Sequence, residues 1–293
     1  MSAGSTRIVS TRSFRNLELV NKSIRELYKR LSPGRVRLFE HDFVLSGRAA
    51  DPKCDAVIRV QKIAHQLAYH FRLAVSTIIV TFRSNLPVPG RIELSSSLDF
   101  FVELHSEHRD NWKAIAAILA HEVAHIFLHH AGIRFNPEFH NEVLTDTTAA
   151  YLGCGATILN GASETITKPG TLTQRQTRQF GYITINEFGY IQAKRDLLYG
   201  RDSSASVDSG LPSSGLRAGR KQLQIERCSR PYASKARAFI SQLFSVGRGN
   251  ERIANGKITF PCACCAQSMR IPIISKKLAV RCPRCESLLY CCT

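Results

Sequence analysis

No apolar run in this chain approaches the roughly 18 residues that a membrane-spanning helix needs. The nearest, Ala114 to Leu128, is interrupted by His and Glu and reads as a buried core helix. Residues 1–16 lack the continuous apolar core of a secretory signal; Arg7, Arg12 and Arg15 lie among Ser and Thr, and no acidic residue precedes Glu18. This stretch reads as a disordered or loosely packed arm, with an organelle-targeting segment as the alternative. Acidic residues are scarce toward the other end. Positions 201–293 hold 5 Asp and Glu against 16 Lys and Arg, a net +11, whereas positions 1–200 hold 18 against 24, a net +6, together the +17 of the whole chain. That excess suggests an acidic partner, nucleic acid or an anionic surface, against the plainer role of solubility. Cysteine is sparse before residue 262: Cys54, Cys154 and Cys228 stand alone and read as buried or plain thiols. The other seven of the 10 cysteines fall at 262, 264, 265, 282, 285, 291 and 292, which without a secretory signal argues for metal in a reducing, cytoplasmic compartment rather than disulfides. No internal repeat is evident.

What is present suffices for a core: 293 residues, 44% of them hydrophobic, exceed the usual single domain. Helical spacing of Leu17, Val20, Ile24, Leu27 and Tyr28 predicts a helix stopping at the turn Ser32-Pro33-Gly34. An extended stretch over 36–46 and a second helix over 54–71 follow. Val75 to Phe82 is β-branched, Leu86-Pro87-Val88-Pro89-Gly90 breaks it, and 91–94 with 98–104 supply further strands, so a small sheet precedes the apolar helix. Asn111 is the predicted N-cap of that helix and Gly132 its C′ residue. Asn136-Pro137-Glu138 opens another, with Pro at its first position, ended by Gly153 or Gly155. Residues 171–198 read as mostly helical with a break at Gly181 to Thr184. Residues 201–231, rich in Ser, Gly and charge, read as a flexible basic linker. A short helix over 232–244 within a 232–256 connector leads to a cysteine-rich module over 257–293.

Within the apolar helix lies His121-Glu122-Val123-Ala124-His125. Residues four apart share a helix face, so His121 and His125 offer two imidazole nitrogens to one ion while Glu122 faces its open side. Plain core histidines in such a helix would each need a partner. Catalytic zinc takes three protein ligands and leaves one position open. Glu142, 17 residues after His125, is the candidate third ligand, and Asp146, one turn on, is placed to orient a ligand histidine. His140, 15 residues after His125, is the alternative. His129 and His130 close the helix, where its C-terminus favours imidazolium.

The order His121-Glu122-x-x-His125, then Asn141-Glu142-x-x-x-Asp146 in a second helix, resembles the gluzincin arrangement of thermolysin-like peptidases over roughly residues 110–155. The resemblance implies an α+β zincin-like domain, over 17–200, in which a twisted sheet packs on the active-site helix. It implies zinc held by His121, His125 and Glu142, with Glu122 as general base. Ala131 stands where a metzincin would need histidine. The position of His140 is similar to the third ligand of SprT/Spartan-like proteases, which often carry a C-terminal zinc ribbon, although Asn141 stands where that family has glycine. Size and first motif are also similar to ImmA/IrrE-like peptidases. Oxyanion support in such sites comes from a Tyr or His elsewhere, with Tyr151, Tyr182 and Tyr190 as candidates.

Cys262-Ala263-Cys264-Cys265 and Cys282-Pro283-Arg284-Cys285, 16 residues apart, form two knuckles. Cys262, Cys265, Cys282 and Cys285 give a closed four-thiolate site whose structural zinc folds a module too small for a core of its own. Strands are predicted over 270–272 and 278–281. Cys291 and Cys292 are spare. Arg270, Lys276, Lys277, Arg281 and Arg284 are the candidate nucleic-acid contacts. Together these features predict a zinc-dependent endopeptidase acting on protein substrates, with a basic ribbon that recruits a partner; a DNA-associated SprT-like protease and a non-catalytic zinc-binding regulator are the other readings.

Overall fold

The computed structural model describes residues 14–49, 51, 53–74, 77–94, 99–167, 174–228, 252–262, 265, 267–274, 277–284 and 288–292. Helix α1 (Leu17–Arg37) buries Val20, Ile24, Leu27, Tyr28 and Leu31 on one stripe. The predicted stop is a kink instead: Ser32 takes φ 65°, and the helix resumes through Arg37. Pro33 falls in the first turn of the resumed helix, where a missing N–H is tolerated. Phe14 packs on the Tyr190 ring, so the loosely packed arm predicted over 1–16 does not extend to its last residues; 1–13 lie outside the described residues. No strand forms over 36–46. There the backbone is satisfied by other groups: Arg195, also paired with the Asp42 carboxylate (2.8 Å), donates to the Phe39 (2.9 Å) and Glu40 (3.3 Å) carbonyls, and Phe43 N–H donates to the Gly153 carbonyl (2.9 Å).

Helix α2 (Ala56–His70) starts where the Asp55 side chain accepts from the Val57 and Ile58 amides. Strands β1 (Thr77–Arg83), β2 (Gly90–Glu93) and β3 (Asp99–His105) form a sheet in the order β1-β3-β2, with β1 and β3 parallel and β2 an antiparallel edge. Val80, Phe100, Val102 and Leu104 are buried. Helix α3 (Trp112–His130) packs against α2, β2 and β3 and is enclosed on nearly all sides. Asn111 caps it by accepting from the Ala114 amide, and Gly132 follows its end at φ 61°.

Helix α4 (Glu138–Ala149) has Pro137 at the N-cap, one position before the place predicted from sequence. A π-helical turn (Ala150–Cys154), with Gly153 at φ 121°, joins it to α5 (Gly155–Gly161). Gly161 allows close approach to α3, since a Cβ there would lie 2.4 Å from that of Ala117. The helix predicted from 171 onward is in part a hairpin: β4 (Ser163–Thr167) pairs antiparallel with β5 (Gln174–Arg178). That polar segment has no apolar stripe to bury as a helix. Helix α6 (Ile185–Tyr199) begins at a capping box between Thr184 and Glu187 and ends at Gly200, φ 63°. The Glu187 carboxylate also accepts from the Asn16 amide, tying the start of α1 to the start of α6.

Residues 201–228 do not form the flexible linker predicted over 201–231, whose last three positions lie outside the described residues. Helix α7 (Leu211–Cys228) buries Leu216 and Leu223 and lies against α6 at glycine contacts. A Cβ on Gly189 would lie 2.0 Å from the Gly215 carbonyl oxygen, and one on Gly219 2.1 Å from the Gly189 carbonyl carbon. The glycines that resemble linker composition are the surface through which two backbones meet. The first folded unit therefore runs past residue 200 to the end of α7. The helix predicted over 232–244 lies outside the described residues.

The C-terminal module begins before residue 257, with β6 (Arg252–Ala254), β7 (Lys257–Pro261) and β8 (Ser268–Pro272) in an antiparallel sheet of order β6-β7-β8. A hairpin of β9 (Lys277–Arg281) and β10 (Leu288–Cys292) follows. Ile258, Phe260, Met269 and Ile271 point inward with Cys262, Cys265 and Cys282. The whole is a mixed α+β protein. Gly219→Ala separates the two views of residues 201–231. In an unpacked helix it would stabilise by up to about 1 kcal/mol; against Gly189 it is expected to destabilise by about 1–3 kcal/mol in urea unfolding.

Candidate functional site

His121 and His125 lie one turn apart on α3, and α4 crosses to bring Glu142 against both. His121 Nε2 is 3.1 Å from His125 Nε2 and 3.1 Å from Glu142 Oε2; His125 Nε2 is 3.3 Å from the same oxygen. A tetrahedral ion with nitrogen and oxygen ligands at about 2.0–2.1 Å sets its ligand atoms about 3.3–3.4 Å apart. The spacing fits.

The outer nitrogens determine which way the rings present their lone pairs. His121 Nδ1 is 2.7 Å from Asp146 Oδ1, a carboxylate oxygen that only accepts, so the proton is on Nδ1. Thr145 Oγ1 donates to the Asn141 carbonyl (2.9 Å) and so accepts from His125 Nδ1 (3.3 Å). With both neutral rings held in the Nδ1–H form, two Nε2 lone pairs and a carboxylate oxygen converge with no hydrogen among them. Such a cluster needs a cation at its centre or a proton on one ring. His121 responds accordingly: burial disfavours its charged form, but the Asp146 and Glu142 carboxylates overcome this and push its pKa well above the ordinary imidazole value. Burial alone would raise the Glu142 carboxyl, yet hydrogen bonds with His121 and His125 bring it down to about 2.

Asp146, 1% exposed, has a second task. Its other oxygen accepts the Tyr182 amide (2.5 Å) and the Ile183 amide (3.1 Å), so one carboxylate orients His121 and fixes the loop before α6. Gly181, at φ 103°, makes this possible: a Cβ there would lie 2.6 Å from Asp146 Oδ1. The fixed loop stacks the Tyr182 ring on His121, at 6.0 Å between centroids and 27° between planes. Burial, with Glu142, Asp146, Glu122 and Glu138 nearby, pushes the Tyr182 phenol up to about 12, so it remains a donor at neutral pH.

These groups line a cavity of about 940 Å³ between β2, α3, the turn after α3, the start of α4 and the 179–182 loop. Glu122 is in its wall, and burial, opposed by His121 and His125, raises its carboxyl above the ordinary value. Gly90 faces it across the cleft. A Cβ there would lie 2.4 Å from Ile118 Cγ2 and 2.9 Å from Glu122 Oε1, so only glycine brings the edge strand this close to the motif helix.

Sequence alone left Glu142 and His140 open; the structure puts Glu142 with the two histidines and leaves His140 out of the cavity lining. Of the three tyrosines, only Tyr182 borders the cleft. Tyr151 is fully buried with its hydroxyl against Tyr28 (3.2 Å), and the Tyr190 hydroxyl donates to Glu226, so neither supports an oxyanion. His129 lines the cavity, whereas His130 packs on Phe100. Sequence reading missed Thr145, which looks like any β-branched helix residue, and the roles of Gly90 and Gly181, which it saw only as a breaker and a loop.

In the C-terminal module Cys262, Cys265 and Cys282 bring their sulfurs within 4.8 Å of one another. Cys265 and Cys282 are 3.6 Å apart, against about 3.8 Å for two thiolates on one tetrahedral ion with bonds near 2.3 Å. Cys285, the expected fourth, lies outside the described residues. Arg270 and Arg281 are exposed; Lys276 and the Lys277 side chain also lie outside the described residues. Arg284 is engaged within the fold, donating to the Tyr28 carbonyl (2.9 Å) with its guanidinium 5.8 Å from that ring's centroid, which removes it from the exposed candidates for nucleic-acid contact.

Comparison of the chain with protein-family models, curated proteins and solved structures finds no match.

Metal analysis of the purified chain is expected to find two bound ions. Glu142→Ala should lose one and His140→Ala neither, while Asp146→Ala should weaken the histidine site by about 10–100-fold. Loss of the ion in His140→Ala alone would reverse the ligand assignment.

Proposed function

We propose that this chain is a zinc-dependent peptidase of gluzincin type, with a structural zinc in its C-terminal cysteine module. The supporting observation is the convergence of His121 Nε2, His125 Nε2 and Glu142 Oε2 within 3.1–3.3 Å, beside Glu122 and in the wall of an open cleft. Two neutral nitrogens and one carboxylate suit zinc, and a three-ligand set is that of a catalytic site. Bound there, zinc supplies Lewis acidity toward a peptide carbonyl and a water molecule.

The chain's own groups do the rest. Glu122 takes a proton from the attacking water and delivers it to the amide nitrogen as the C–N bond breaks. Tyr182 donates its phenolic hydrogen to the oxygen that becomes negative as water adds to the carbonyl. Strand β2, with β3 on one side and no strand on its other edge among the described residues, bounds the cleft; an extended peptide lies along it, held by main-chain hydrogen bonds regardless of sequence. An extended substrate is therefore favoured over a folded one. The exclusion of His140 from the cluster favours the gluzincin reading over the SprT-like one.

Glu122→Gln is the decisive substitution. It is expected to retain the metal and to lower the hydrolysis of unfolded protein substrates by about 10²–10⁴-fold. Activity equal to wild type would refute the peptidase reading, and equal biological effect from both would support a non-catalytic regulator. Tyr182→Phe is expected to lower kcat by about 10²–10³-fold with little change in KM; an effect on KM alone would make the ring a binding surface.

A further inference from the structure

The sheet β6-β7-β8 has two unlike faces. Cross-strand partners project to the same side, so its registers read directly as surface rows. Ile253–Ile258–Ile271 and Phe260–Met269 face the module's interior. The opposite side carries the rows Ala254–Lys257–Pro272, Arg252–Thr259–Arg270 and Pro261–Ser268 in turn. Arg252, Lys257 and Arg270 are exposed, and none has an ion pair or side-chain hydrogen bond among the described residues. No Asp or Glu occurs anywhere from 252 to 284, so nothing in that stretch neutralises them.

We propose that this outer face binds the phosphate backbone of duplex nucleic acid. With strands about 4.8 Å apart, Arg252 and Arg270 stand about 10 Å from each other across Thr259. Two flexible guanidinium groups flank a hydroxyl donor, and Lys257 adds a third positive charge in the adjacent row. Arginine, lysine and threonine are the side chains that contact phosphate oxygens. The face has no exposed aromatic ring on which unpaired bases would stack, which argues against a single-strand platform. Its other positions are Ala254, Thr259, Pro261, Ser268 and Pro272, none of them a large apolar side chain to enter a bilayer or an apolar protein patch. What remains is charge on a broad open surface. Recognition is therefore independent of sequence and strongly dependent on salt. This inference stands on the sheet alone and not on the peptidase reading.

Three neutralised phosphates give a slope of log K on log salt of about −2.7, a loss of about 40-fold between 50 and 200 mM salt. The test uses the full chain with both metals bound, titrated into a labelled DNA duplex over that salt range. R252A/K257A/R270A is compared with wild type and with K29A/R35A/K53A, which removes the same charge from exposed sites elsewhere. The proposal expects the first variant to flatten the slope by about 2.7 and the control to leave it nearly unchanged. Metal content and thermal unfolding equal to wild type establish that the first variant is folded. If that variant loses its metal, R252Q/K257Q/R270Q, which keeps longer side chains on the strands, is measured instead. Equal slopes for wild type and the face variant overturn the proposal, as does an equal loss in the control, which would make the binding a property of bulk charge. Tighter binding to phosphatidylserine vesicles or to polyglutamate than to the duplex, at the same salt, also overturns it.

Discussion

The carboxylate of Asp146 holds three parts of the molecule in relation to one another. It projects from α4, accepts a hydrogen bond from His121 Nδ1–H on α3, and accepts the Tyr182 and Ile183 amides from the loop that precedes α6. An unpaired charge this deeply buried would be costly; here every contact is a donor, so the cost is offset by charge-assisted hydrogen bonds. Glu142 is one turn earlier on the same helix, so the geometry that aims the third donor also aims the ring of the first. The site is thus a joint between helices more than a set of side chains on one of them.

The legible part of the sequence was local. His121, Glu122 and His125 could be placed from helical spacing, and the caps at Asn111 and Gly132 from residue type, because each depends on neighbours within about one turn. Glu142 and Asp146 were readable as a pair, being four apart, but their partnership with α3 depends on how two helices cross. Thr145 orients His125 only because of that crossing. The tyrosines show the same limit. Tyr151, Tyr182 and Tyr190 are indistinguishable by composition, and only the Gly181 turn, which presses the backbone onto Asp146, brings one of them over the cleft.

Glycine content conceals packing for a related physical reason. Composition treats Gly as flexibility, which holds for a chain without neighbours. In α7 the glycines at 215 and 219 are four residues apart and therefore on one face, where their lack of side chains lets the α6 backbone approach. Gly90 does similar work at the edge strand. A periodic glycine is evidence of contact when a second helix with a matching glycine, such as Gly189, is available to receive it. The hairpin of β4 and β5 and the irregular path over 38–46 are the reverse case, where local pattern suggested order of one kind and tertiary hydrogen bonding imposed another.

Arg284 and Tyr28, 256 positions apart, are joined by a hydrogen bond to the carbonyl and by the guanidinium lying over the ring. One guanidinium thus belongs to both parts of the fold: it projects from the second cysteine knuckle and rests on α1. Loss of order around Cys282 is felt at Tyr28, and a change on that face of α1 is felt at the knuckle, so substitutions in the two regions couple in their effect on stability although they are remote in sequence.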